Sequence, residues 1–225
     1  MDLRSTIRST GSVRSFRPDP VDDATVEAVL DDARFAPSGG NKQPWRVVVV
    51  KDPVIRQAMG DLMRSVWAEY MGAQAAGHRA FAYGRAVDAP PLPTPNALID
   101  HILDVPVVLA VAGDLRDIAI MDGNAARPPV VGGASIYPFC WNVLLAARAH
   151  GLGGVLTTFL SRQEAAAATV LGLPEHLALA ATIFLGVPEH QNTTLTRRPV
   201  AAFATVDRFD GAAFSAVAGS SGVTA

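Results

Sequence analysis

The chain has 225 residues, 49% of them hydrophobic and 18% charged, with a formal net charge of −2. That length suits one domain with a sizeable core, and the near-neutral balance argues against a nucleic acid as the main partner. One cysteine, Cys140, excludes an internal disulfide. No apolar run approaches the ~20 residues of a membrane span and no signal-peptide core is visible, so the expected location is the cytoplasm. Basic residues gather early (Arg4, Arg8, Arg14, Arg17), but aspartates and prolines interrupt them, a pattern better suited to one small anion than to a polyanion.

In chain order, Asp22 or Asp23 can cap a helix whose Val26, Val29, Leu30 and Ala33 recur at helical spacing. The pattern stops before Pro37. Trp45 to Val50 is a continuous apolar run rich in β-branched residues, expected to be a strand buried on both faces. Lys51-Asp52-Pro53 turns the chain and places proline at a first helical position. Ile55, Met59, Leu62 and Val66 mark the next helix, expected to reach Tyr70. Residues 72 to 98, with Gly72, Gly77, Gly84 and prolines between Pro90 and Pro95, are expected to form an irregular, mobile excursion. Val105 to Ala112 is a second buried strand, followed by another irregular stretch through Arg127-Pro128-Pro129. From Gly133 to His150 the chain is apolar almost all round, predicting a central helix that Gly151 ends. Cys140 lies within it and is expected to be a small core residue. Gly153 to Thr158 predicts a short strand or extended turn. Ser161-Arg162-Gln163-Glu164 has the reciprocal capping pattern for a helix to Gly172. Leu177 to Val187 is a third apolar strand, and an extended piece is expected over 198–208. The organisation is one domain over 1–218 and a disordered tail over 219–225.

Several chemistries find no support. The five histidines lie far apart and form no metal-ligand spacing. There is no nucleophile elbow and no phosphate-loop pattern. Gly151-Leu152-Gly153-Gly154 follows a helix, whereas a dinucleotide fingerprint must follow a strand.

Four polar segments remain: Gly11 to Phe16, Ala36 to Trp45, Gly151 to Thr158, and Thr196 to Pro199. In the second, Gly39 and Gly40 allow close backbone approach, Ser38, Asn41 and Gln43 offer donors and acceptors, and Pro37 and Pro44 stiffen the ends. Taken alone, such a loop is more readily an ordinary helix-to-strand turn, since loops use these residues anyway. Arginines beside a serine suit a phosphate and equally form solvated surface pairs.

In combination these segments resemble the nitroreductase family of flavoproteins. Thr10-Gly11-Ser12-Val13-Arg14-Ser15-Phe16 stands in the place of the family's R-R-S-V-R-x-F. Ala36 to Trp45 matches A-P-S-x-x-N-x-Q-P-W at every specified position. Asn142 to Gly153 follows its helix ending, and Arg197-Arg198-Pro199 its basic R-x-P element. The resemblance implies an α+β fold with a mostly antiparallel central sheet flanked by helices, and a homodimer in which a C-terminal strand is exchanged. It also implies FMN at the dimer interface, NAD(P)H as reductant, and a small nitroaromatic, quinone or similar acceptor served by ping-pong. By position, Ser12, Arg197 and Arg198 would meet the phosphate, and Arg14 the pyrimidine edge, where it would stabilise charge on the reduced ring. Pro37, Ser38, Gly39, Asn41 and Gln43 would contact the ring or ribityl chain from the other subunit. Backbone groups of Leu156, Thr157 and Thr158 would face the hydride-accepting nitrogen. The irregular stretches, with Trp67, Tyr70, Phe81 and Tyr83, would cover the ring. One departure matters: Thr10-Gly11 replaces the arginine doublet, whose first member is normally a phosphate ligand. That keeps a flavin-storage protein open beside the dehalogenating and flavin-fragmenting branches of the same fold.

Overall fold

The computed structural model describes residues 1–83 and 88–215. It falls into two units, Met1–Thr193 and Thr194–Ala225. In the first, helices α1 (Leu3–Ser9), α2 (Asp23–Ala33), α3 (Pro53–Ala75), α4 (Ala97–Asp100), α5 (Tyr137–Ala149) and α6 (Glu164–Leu171) surround strands β1 (Trp45–Val50), β2 (Val107–Asp114), β3 (Gly153–Thr157) and β4 (Leu177–Gly186). The strands form one sheet in the order β1-β2-β4-β3, and every neighbouring pair is antiparallel. This is the α+β arrangement expected from the resemblance.

Side-chain alternation along the strands divides the core. Val107, Leu109, Val111, Ala181, Ile183 and Leu185 pack against α2 and α5, where Val29, Cys140 and Val143 are fully buried. Val108, Ala110, Val155 and Phe184 face the other way, onto Met59 and Met63 of α3. Because both faces are covered, β2 is buried along its whole length. β1 departs from the expectation. It is an edge strand, and Arg46 and Val49 are exposed. Its apolar residues serve both core layers, Trp45 and Val47 one and Val48 and Val50 the other, but its outer edge has no strand neighbour among the described residues.

Local signals account for most boundaries. Asp22 caps α2 through Thr25 N and Asp52 caps α3 ahead of Pro53. Gly151, at φ +81°, ends α5. Three expectations are corrected. First, α3 runs past Tyr70 to Ala75, so residues 72–75 belong to it. The following segment is pinned back on the helix: Leu92 N donates to Ala68 O at 2.9 Å and Trp67 Nε1 to Thr94 O at 2.9 Å. A Cβ on Gly72 would lie 2.1 Å from Pro90 O, so glycine is what permits this approach. Gly84, within that stretch, lies outside the described residues. Second, the capping box before α6 does not form. Glu164 Oε1 accepts from Leu179 N, and Ser161 Oγ donates to Leu179 O, so a tertiary contact takes both groups. The chain enters α6 through the 3-10 turn Phe159–Gln163. Third, the helix expected from Gly133 begins at Tyr137, after a 3-10 turn over Val131–Ser135.

In the second unit, Val200–Ala202 is a 3-10 turn and Thr205 bridges Ala213, so the extended piece expected over 198–208 is a series of turns. Pro199 starts the first turn, and Arg208 pairs with Asp210 in the next. The tail over 219–225 lies outside the described residues. Among the described residues, no helix is long and apolar enough to cross a membrane.

Candidate functional site

Arg14 is placed by backbone pairing on both sides. Val13 N donates to Gly154 O at 2.9 Å, and Ser12 bridges Gly154 in parallel sense. Beyond Arg14, Glu189 N donates to Ser15 O at 3.2 Å and Arg17 N to Val187 O at 2.8 Å. The N-terminal segment therefore lies along the β3 edge and on toward the end of β4. Arg14 itself is exposed and makes no hydrogen bond or ion pair among the described residues.

Arg14 borders a cavity of about 520 Å³, within the range of roughly 300–1,000 Å³ for small-molecule sites. Leu156, Thr157 and Thr158 form one side of it. Trp67 and Tyr70 of α3 form another, with Phe159 and Asn96 completing the wall. The Trp67 and Tyr70 rings stack, with centroids 5.4 Å apart and planes 11° apart, and Phe159 meets both edge-on. Phe81 and Tyr83 are both exposed, Phe81 with its ring tilted against Tyr70 at 6.3 Å. A flat aromatic guest fits such walls, and one unpaired cation at the rim suits a guest carrying negative charge.

Beneath the cavity sits an unusual pair. Thr157 and Thr182 are directly opposite in the β3–β4 register. Both side chains share the face of Val155 and Phe184, and both hydroxyls are buried without a hydrogen-bond partner among the described residues. Cys140, by contrast, is inert core: burial pushes its thiol up to about 12.

The Ala36–Trp45 loop does not line this cavity within one chain. It enters β1, whose Trp45 pairs with Gly113, while Gly113 pairs with Ala178 at the start of β4. β3 runs toward the same end of the sheet, so the loop and Thr158 sit at one end but on opposite edges. Inside the loop Ser38 Oγ accepts from Gln43 N at 2.9 Å, and Gln43 Nε2 donates to Asn41 O and Oδ1. Gly40, Asn41 and Gln43 all have positive φ, at 57°, 55° and 49°. Ser135 Oγ accepts from Gly39 N at 3.0 Å.

The remaining predicted residues divide. Ser12 lies beside β3 but not in the cavity wall. Arg197 donates to Thr196 O; with Arg198 it belongs to the second unit. Thr10 is buried and its hydroxyl donates to Thr6 O at 2.7 Å, so that group is already spent. Asn96 and Ser135 were not predicted, because nothing near them in sequence marks them. Their contacts arise only when α4 and the turn before α5 fold against the sheet end.

Residues 7–187 match the model of the nitroreductase family. The chain belongs to the nitroreductase family. It is a flavin oxidoreductase of that family. It is 28% identical over 227 residues to an NADH dehydrogenase of Thermus thermophilus, covering 89% of this chain and 93% of the relative. It is 32% identical over 193 residues to a 5,6-dimethylbenzimidazole synthase of Rhodobacter capsulatus, covering 85% and 86%. Its fold matches a Desulfovibrio desulfuricans protein solved in complex with FMN and described as a nitroreductase, with a TM-score of 0.66, 23% identity, and coverage of 93% and 98%.

Proposed function

We propose that this nitroreductase-family chain binds FMN and passes hydride from NAD(P)H to nitroaromatic, quinone or similar small acceptors, working as a homodimer in the cytoplasm. The observation that carries this reading is the unpaired Arg14 at the rim of an aromatic-walled cavity of about 520 Å³. The residues present suit FMN at its ring end: a flat apolar space, a free guanidinium and extended backbone at Leu156–Thr158. When bound, FMN supplies the two-electron redox chemistry.

The chain's own residues then have distinct tasks. Arg14 neutralises negative charge at the pyrimidine edge, a preorganised electrostatic role. Backbone groups of Leu156, Thr157 and Thr158 orient the reacting face. Trp67, Tyr70 and Phe159 hold a planar guest parallel to it and exclude water. One cavity leaves room for reductant or acceptor in turn, hence ping-pong turnover. Pro37, Ser38, Gly39, Asn41 and Gln43 of a second copy complete the ring site, in line with the loop's lying away from the cavity of its own chain. Ser12, Arg197 and Arg198 serve the phosphate, with Thr10 contributing no charge. Exchange of the C-terminal segment between copies belongs to the same reading.

Purified protein should be yellow, and NAD(P)H should bleach it without oxygen. Protein that stays colourless after incubation with FMN overturns the proposal. A second reading is favoured by the 32% identity to a 5,6-dimethylbenzimidazole synthase. Incubating reduced holoenzyme in air and searching the products for a ring-contracted flavin distinguishes it. Tight flavin binding with negligible NAD(P)H oxidation would instead indicate storage, and absence of dehalogenation with halogenated phenols removes that branch.

A further inference from the structure

Gln43 is the most constrained residue of the Ala36–Trp45 loop. Its φ is +49°, uncommon for a residue with a side chain, and it precedes Pro44, which narrows its choices further. Such a conformation persists only where the surroundings over-determine it. Ser38 Oγ accepts from Gln43 N at 2.9 Å, but that contact lies within the loop. Ser135 holds the loop from outside at Gly39; at the Gln43–Pro44 end the outside holds come from Arg46 and Asp114. Arg46 Nη1 donates to Gln43 O at 3.1 Å and to Trp45 O at 2.9 Å, and Arg46 Nη2 reaches Asp114 Oδ2 at 3.4 Å. Asp114 N donates to Pro44 O at 2.8 Å. Both backbone carbonyls around the Gln43–Pro44 bond are therefore held, directly or through one guanidinium, by Asp114 at the end of β2.

Asp114 is itself rigidly set. Its side chain is 1% exposed, and Arg116 donates to it from Nε at 2.9 Å, from Nη2 at 2.7 Å and from its backbone N at 3.2 Å. Arg116 already supplies a fork to this carboxylate. Arg46 is therefore not needed to neutralise it, and its longer contact aims the guanidinium at the loop carbonyls. At 3.4 Å, with Arg46 half-exposed and the carboxylate already paired to Arg116, the Arg46 contact is the weaker of the two; its consequence is geometric.

We propose that Arg46, oriented by Asp114, is a positioning residue for the Ala36–Trp45 loop, locking the Gln43 backbone in the form that grips FMN. The inference rests on the proposed FMN reading, and the experiment separates the two. Arg46→Gln keeps polarity but loses the charged fork and its reach; Arg46→Lys keeps charge but not the two-point geometry. Lys51→Gln, which removes an ion pair with Asp23 away from the loop, is the control. Two readouts are taken on full-length protein: trypsin cleavage after Lys42 in apo-protein, and the dissociation constant for FMN by fluorescence quenching. Thermal melting establishes that each variant is folded.

Arg46→Gln should be cleaved after Lys42 several-fold faster and bind FMN about tenfold more weakly, in keeping with loss of a charge-assisted hydrogen bond. Arg46→Lys should lie between it and the wild type, and Lys51→Gln should match the wild type. Unchanged cleavage in Arg46→Gln overturns the proposal, because the loop was then not held by Arg46. Faster cleavage with unchanged FMN affinity also overturns it, since the locked form would not matter to the ligand. If wild-type protein fails to bind FMN, the functional reading fails and the gripping role falls with it; the cleavage arm still decides whether Arg46 holds the loop.

Discussion

Replacing Thr182 by valine should make this protein more stable. Thr182 is fully buried, and among the described residues neither its hydroxyl nor that of Thr157, directly opposite, has a partner. A buried hydroxyl without a hydrogen bond costs roughly 1–3 kcal/mol. Valine has nearly the same shape, so Thr182→Val removes that cost without opening a cavity. The added methyl contributes up to about 0.8 kcal/mol by burial. A net gain of about 1–3 kcal/mol follows, read as roughly 2–4 °C in melting temperature per kcal/mol for a chain of this size. Calorimetry and urea unfolding of apo-protein check it, with an unchanged urea m-value as the sign that only stability moved. Thr157→Val should act in the same direction, and because the two side chains are cross-strand neighbours the double variant should depart from simple additivity by about 0.5 kcal/mol or more. A loss of 1 kcal/mol or more in Thr182→Val would refute the reasoning, since a hydroxyl whose removal destabilises must have had a partner.

Three further expectations can be checked directly. Arg14→Gln should slow anaerobic flavin reduction by NAD(P)H about 100-fold in stopped-flow, the scale of losing one preorganised charge partner; an unchanged rate removes its electrostatic role. Trp67→Leu takes away the ring stacked on Tyr70 and should raise KM for nitroaromatic acceptors up to about tenfold. Turnover with ferricyanide, which has no ring to stack, should stay unchanged, and an equal loss with both would point to a general structural defect. Cys140, with its thiol raised to about 12 in the folded state, should resist iodoacetamide at pH 8 and react after unfolding. The folded thiol holds its proton more tightly than the unfolded one. Its contribution is therefore present below pH 9 and declines at up to about 1.4 kcal/mol per pH unit between pH 9 and 12, so urea midpoints should fall over that window.

Much of the fold was legible in the sequence because it depended on local rules. Asp22 and Asp52 cap helices through residues two or three positions away, and Gly151 ends one by its own φ. The Ala36–Trp45 loop, Arg14 and Leu156–Thr158 were legible as candidates from residue type and order. The capping pattern at Ser161–Glu164 misled because Leu179, distant in sequence, offers both groups a better partner. The apolar run of β1 misled because period and composition do not distinguish a central strand from an edge strand packed on both faces.

Tertiary structure alone decided what these residues meet. Strand order puts the loop and Thr158 on opposite edges of one sheet end. Register sets two orphan hydroxyls face to face. The meeting of β1 and β2 brings Asp114 to Arg46. The sequence by itself determined which residues can bend, cap, bury or carry charge, because those properties belong to single side chains and near neighbours. Which carbonyl Arg46 holds and which cavity Arg14 borders depend on pairings across tens of residues, and only the closed sheet selects those.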